Sequence, residues 1–256
     1  LTAQTVSRLR DMLDNADDGF FTELKRYLQD VASGESACWY GEAGRIIVDQ
    51  PKQSHRPADM LMEGLFRRRC RIKHPDLNQV HDDRWRKGRN TALRQAVEIL
   101  LDESVPVQID NGHPANHGQK RYLQSVLLNG TGALKQTDNQ GAVSYFQCES
   151  DESVIADDFP VLKQLCRRLS SDPSLPVRQF VQEAAAPGYG AGGTMLTLAL
   201  AFAVRAFGER LRIYSDSTRT KSINRTEIDY DRIVEMGSSP ADGTFFVVTE
   251  ISPAHR

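Results

Sequence analysis

Between Thr194 and Phe207 apolar side chains occupy nearly every position, interrupted only by Thr197 and Arg205. A helix that is apolar on almost every side has no face to offer water and has to be enclosed. The longest apolar run, Met195 to Val204, contains Thr197 and falls well short of the ~20 apolar residues that a bilayer crossing requires. The segment is therefore expected to be a buried core helix, unable to present a polar face to DNA.

Other elements follow from periodicity and punctuation. Residues 1–32 carry apolar residues at three- and four-residue steps, from Leu9 through Val31, and predict helix. Trp39-Tyr40 and Arg45 to Val48 predict a short hairpin around Gly41 and Gly44. A helix from Met60 runs into a basic stretch and stops at His74-Pro75-Asp76, because the residue before proline avoids the helical region. A longer helix is expected over roughly 82–102. A helix near 118–129 precedes strand-like Ala133 to Gln136 and Val143 to Phe146, with the turn signal Asp138-Asn139-Gln140-Gly141 between them. Helix followed by hairpin is the order of a winged helix.

The pattern then recurs. Helices are expected at Phe159 to Leu169, Val177 to Ala185 and Thr194 to Phe207. Strands at Leu211 to Tyr214 and Phe245 to Val248 flank a short helix near Ile228–Met236. The predicted fold class is mainly α with small β-wings (α+β): tandem winged helix-turn-helix units preceded by a helical segment. The boundaries are 1–60 for the N-terminal helical segment, 61–150 for a basic region with the first unit, and 151–256 for the second. Residues 118–150 and 175–250 are each expected to show helix, turn, helix and β-hairpin.

The chain has 256 residues, 39% hydrophobic and 26% charged, a composition of globular rather than disordered proteins. No signal peptide opens it. Four widely spaced cysteines, without a CxxC pair, indicate neither a zinc ribbon nor a disulfide framework and fit a reducing cytoplasm. It begins at Leu1 and stops at Arg256, directly after an apolar, strand-like run, so a piece of a larger protein is expected.

The net charge is only −2, yet Arg67 to Arg94 holds ten Lys or Arg residues against three acids. Such a segment can neutralise phosphates and release counterions, giving affinity for duplex DNA without sequence preference. The expected contacts are Arg67, Arg68, Arg69, Arg71, Lys73, Arg84, Arg86, Lys87 and Arg89. Lys120, Arg121 and Gln124 join them if the helix at 118–129 lies in a major groove, because Gln and Arg pair bidentately with base edges. The alternative is a scaffold in which the arginines meet an acidic protein surface and no nucleic acid is bound.

No complete enzyme site is expected. Pro187 to Thr194 departs from a phosphate-binding loop, with Pro187 at the first glycine position and Gly193 where the lysine belongs. His113 and His117 have H-x-x-x-H spacing, but Pro114 places them in a loop and no third ligand is nearby. Cys70, His74 and His81 form an equally loose set. The expectation is no catalytic residue, no metal and no cofactor.

Ala186-Pro187-Gly188-Tyr189-Gly190, followed by a leucine-rich helix and the strand Leu211 to Tyr214, resembles the C-terminal region of very large ATPases of bacterial phage-defence systems, the BrxC/PglY type of BREX. Those proteins carry a Pro-Pro-Tyr-Gly turn before an apolar helix in a winged-helix-like region, and here Gly188 replaces the second proline. Lys73-His74-Pro75-Asp76-Leu77 is similar to a second element of that family. The resemblance implies a role in bacterial phage resistance, in a DNA-associated complex with other domains or subunits, while the short apolar runs and the cysteines predict a cytoplasmic setting and no membrane contact. No ATPase motif of the family is matched.

Overall fold

The structure, a computed structural model, describes residues 70–72, 77, 91–172, 174–186 and 188–249, and the backbone alone of 38–41 and 44–47. The helices expected over 1–32, from Met60 and over 82–90, and the stop at His74 to Asp76, lie outside the described residues. The chain divides into two compact units, Leu1–Arg67 and Arg68–Arg256. In the first, β1 (Cys38–Gly41) pairs antiparallel with β2 (Gly44–Ile47), the hairpin expected around two glycines.

The second unit is a mixture of helices with small antiparallel sheets, an α+β fold. Its first described elements are α1 (Thr91–Leu101), β3 (Val107–Asp110), α2 (Gln119–Leu128), β4 (Leu134–Gln140) and β5 (Val143–Cys148). These strands form a sheet of order β3-β5-β4. It continues with α3 (Pro160–Ser171), β6 (Ser174–Pro176), α4 (Val177–Ala185), α5 (Gly193–Phe207), β7 (Leu211–Tyr214), β8 (Ser222–Ile223), α6 (Tyr230–Ser238) and β9 (Phe245–Val248). The second sheet has the order β6-β9-β7-β8. In both halves the strand that follows the first helix pairs with the last strand, which lies between it and the strand that follows the next helices.

The all-round apolar segment is α5, and it is the core. Every residue from Thr194 to Val204 is buried, as is Phe207. Helices α1, α3 and α6 and strand β5 pack around it. Each fully buried Leu or Phe contributes roughly 1.5–3 kcal/mol, so this one helix anchors both halves. Its one cation is spent on the same task. The Arg205 guanidinium donates to the backbone carbonyls of Asp102 and Val105, just beyond the C-terminal end of α1.

Three expectations need correction. Residues 118–150 hold one helix, not two. The polar stretch before α2 forms successive turns, because Asp110 Oδ1 takes the Gly112 N–H at 2.7 Å and Pro114 redirects the chain. The helix before it is α1, with β3 intervening. Second, the expected turn at Asp138–Gly141 is displaced. Strand β4 runs on to Gln140 by way of a bulge after Gln136, and the reversal is Gly141-Ala142. Gly141 sits at φ +63, as the first position of a tight hairpin turn demands. Third, β7 and β9 are not joined by a simple hairpin, since β8 and α6 are inserted between them.

Candidate nucleic-acid interface

The helix expected near 118–129 is present as α2, and it is π-helical over its whole length. Its C-terminal closure runs from Asn129 N–H to the Gln124 carbonyl at 2.8 Å, five residues back. The Ser125 hydroxyl donates to the Lys120 carbonyl across the same interval, at 2.7 Å. Such helices are rare and usually short. The buried set Tyr122, Leu123, Val126 and Leu127, spaced one, three and one apart, holds the helix against the core.

Tight packing fixes where α2 begins. A Cβ on Gly118 would lie 2.5 Å from the Ala92 carbonyl oxygen and 2.7 Å from the Ala96 nitrogen, so α1 and α2 touch through backbone. Gln95 adds polar ties. Its Oε1 accepts the Gly118 N–H at 3.3 Å, and its amide nitrogen lies 3.5 Å from His117 Nε2. His117 Nδ1 lies 2.6 Å from Gln119 Oε1. This packing leaves Lys120, Arg121 and Gln124 half-buried rather than spread on an open face. Beside them strand β4 is polar and exposed from Lys135 to Gln140, with Lys135, Gln136, Asn139 and Gln140 outward. Its one acid, Asp138, accepts from Asn139 N–H at 2.7 Å and from the Gln140 amide at 2.8 Å.

Of the basic segment, Arg67, Arg68, Arg69, Lys73, Arg84, Arg86, Lys87 and Arg89 lie outside the described residues. Arg71 is exposed, and its N–H donates to the Asp158 carbonyl at 2.8 Å. It therefore lies along an acidic loop holding Glu149, Asp151, Glu152, Asp157 and Asp158. Part of that acidity is already met within the fold. Glu152 pairs with Arg167 at 2.8 Å and Asp157 with Lys163 at 2.7 Å. The Lys163 hydrogen bond and charge hold the Asp157 carboxyl below its ordinary range, and Arg71 adds to this. Arg94, the last cation of the run, is a strut. It bonds Asp231 at 3.1 Å, approaches Glu98 at 3.8 Å and lies 4.4 Å from the Tyr230 ring centre, tying α1 to α6.

His113 and His117 stack at 4.3 Å in a run of turns, and His113 faces Asp110 at 3.3 Å. No group of three His, Cys, Asp or Glu among the described residues is placed to hold a metal. Helix, not strand, precedes the glycine-rich turn, as α4 shows. Burial pushes the Cys148 and Cys166 thiols up to about 12 and Cys70 up to about 11, which keeps all three protonated and non-nucleophilic at neutral pH. No helix among the described residues is long and apolar enough to cross a membrane.

Reading the sequence missed Lys135 and the cations of the β7–β8 hairpin, Arg212, Arg219 and Lys221, all exposed. The signal was the polar turn cluster Ser215 to Ser222, but only the strand pairing shows where it projects. Comparison with protein-family models, with curated proteins and with solved structures gives no match to this chain.

Proposed function

We propose that the second unit is a tandem pair of winged helix-turn-helix modules that binds duplex DNA without catalysis, as part of a larger bacterial phage-defence ATPase. The observation that carries the fold is the repeated topology. Each half runs from helix to strand, to one or two helices, to two strands, with the last strand central in its sheet. That order supports a winged-helix reading, with one helix fewer than expected in the first half and with β8 and α6 as an insertion in the second wing. In the first half α2 takes the recognition position and the β4–β5 hairpin is the wing, which together offer Lys120, Arg121, Gln124 and Lys135. In the second half the equivalent helix, α5, is buried and serves structure. The assignment to phage defence rests on the resemblance around Tyr189 alone.

One observation favours a second reading, a protein scaffold. Arg71 already lies along the acidic loop at 149–158, which is how a basic segment behaves when its partner is protein. Duplex titrations over a range of salt separate the two. DNA binding predicts a dissociation constant on the order of 10⁻⁴–10⁻⁶ M near physiological salt and little sequence preference. Changing Arg67, Arg68 and Arg69 to Ala then weakens all sequences alike, and the log–log salt slope falls by about 0.9 for each lost contact. Changing Gln124 alters sequence preference instead. No salt-sensitive binding at low ionic strength leaves the scaffold reading standing.

A further inference from the structure

The outer face of the second sheet carries chemistry that the duplex-binding reading does not use. Strands β7 and β9 alternate strictly. Leu211 and Ile213 on β7 and Phe246 on β9 point into the core, where Phe246 is fully buried. The residues between them therefore point the other way. These are Arg212 and Tyr214 on β7, and Phe245 and Val247 on β9. The register sets Arg212 opposite Val247 and Tyr214 opposite Phe245. Tyr214, Phe245 and Val247 remain half-exposed, whereas Ile223 and Val248 pack against the core. Directly opposed residues on one face of an antiparallel pair have Cβ atoms ~5 Å apart, so Tyr214 and Phe245 leave the sheet side by side on this face.

Three cations lie on the same strand and its connection to β8. The Arg219 guanidinium lies 5.6 Å from the Phe245 ring centre. Arg219 and Lys221 are both exposed on the β7–β8 connection, and Arg212 is exposed on β7. Two acids of the adjoining loops, Asp216 and Asp242, have partners within the fold. Asp216 accepts from the Thr218 hydroxyl, from the Thr220 hydroxyl at 2.6 Å, from Thr220 N–H at 3.1 Å and from Lys221 N–H at 2.8 Å. Asp242 pairs with Arg178. The carboxylate of Asp216 thus organises the loop that displays Arg219 and Lys221, and its charge is directed inward to that loop.

We propose that this face binds single-stranded nucleic acid, with Tyr214 and Phe245 as stacking surfaces for bases and Arg212, Arg219 and Lys221 as phosphate contacts. Two neighbouring aromatic side chains with cations on the same strands and their connection match the chemistry of an unpaired strand, whose bases offer flat faces and whose backbone offers charge. A duplex keeps its base faces stacked inside and has nothing to lay on the rings. An acidic peptide would satisfy the cations and leave the rings unused. The site extends the nucleic-acid reading to a second form of nucleic acid and uses none of the residues assigned to the duplex.

The test measures fluorescence anisotropy of a labelled oligothymidine and, separately, of a labelled duplex, on the full 256-residue chain. Tyr214→Leu and Phe245→Leu keep apolar volume and remove the aromatic plane. Each is expected to weaken oligothymidine binding roughly tenfold while duplex binding stays unchanged. Replacing Arg212, Arg219 and Lys221 together by Gln should make the single-strand salt slope shallower by about 2, at about 0.7 per phosphate contact. Circular dichroism and thermal melting confirm that the variants are folded. The proposal is overturned if the unmodified chain does not bind oligothymidine, or if folded Leu variants bind it as well as the unmodified chain does. It is also overturned if these variants instead lose an acidic-peptide ligand while oligothymidine binding persists. The duplex arm, read through Arg67, Arg68 and Arg69, reports on the other reading independently.

Discussion

Substituting Gly118 by Ala sets two physical effects against each other with opposite signs. Gly118 has helical backbone angles, φ −54 and ψ −39. On propensity alone Ala is better there by roughly 1 kcal/mol. The added methyl, however, would stand 2.5 Å from the Ala92 carbonyl oxygen, 2.7 Å from the Ala96 nitrogen and 2.8 Å from Gln95 Cβ. Two of those neighbours are backbone atoms inside α1 and cannot rotate away. Overpacking of this kind costs about 1–3 kcal/mol. Separating the helices also strains the hydrogen bond from Gly118 N–H to Gln95 Oε1, worth about 0.5–1.5 kcal/mol. The contact terms win, and a net loss of about 1–3 kcal/mol is expected. For a unit of this size that lowers Tm by roughly 2–12 °C. Urea denaturation followed by circular dichroism, with an unchanged m-value, measures it. A Gly118→Ala protein as stable as the unmodified chain, or more so, would refute the backbone contact between α1 and α2.

Two further outcomes follow from the same structure. Phe202→Ala in α5 removes a ring with no exposed surface and should cost about 3–5 kcal/mol in urea denaturation, against near-neutral effects at exposed helical positions. Hydrogen bonds from Thr218, Thr220 and Lys221 hold the Asp216 carboxyl below its ordinary value of 3.8. Its contribution is therefore present above that value and fades as pH falls through it and below. The stability difference between the unmodified chain and Asp216→Ala should be constant from pH 7 to about 5 and shrink in more acid solution. A difference that grows on acidification would contradict the assignment.

Much of the local structure was legible because it is set by spacing within a single segment. The all-round apolar run from Met195 to Val204 had to be enclosed whatever surrounded it, and it became the core helix. Val177 to Ala185, Leu211 to Tyr214 and Phe245 to Val248 appear as helix and strands at the residues expected, because their apolar periods and flanking breakers are local. The three-residue strand β6 carries too short a pattern, between two prolines, to declare itself, and it exists because β9 offers it a partner.

Only the tertiary structure decided what those elements do. A period of two says that Tyr214 and Phe245 face one way along their own strands. It does not say that strands thirty residues apart in sequence pair so that the two rings stand opposite each other. A run of cations says that charge is present, but not that Arg94 is consumed by Asp231 and Tyr230 or that Arg71 lies along an acidic loop. Likewise the polar sequence of α2 marks a candidate interface. Its five-residue closures, its close contact with α1 at Gly118 and the half-burial of Lys120, Arg121 and Gln124 are not written in that sequence pattern. The reason is general: spacing along a chain encodes direction relative to that chain's own axis, whereas partners and exposure depend on surfaces contributed by residues far away in sequence.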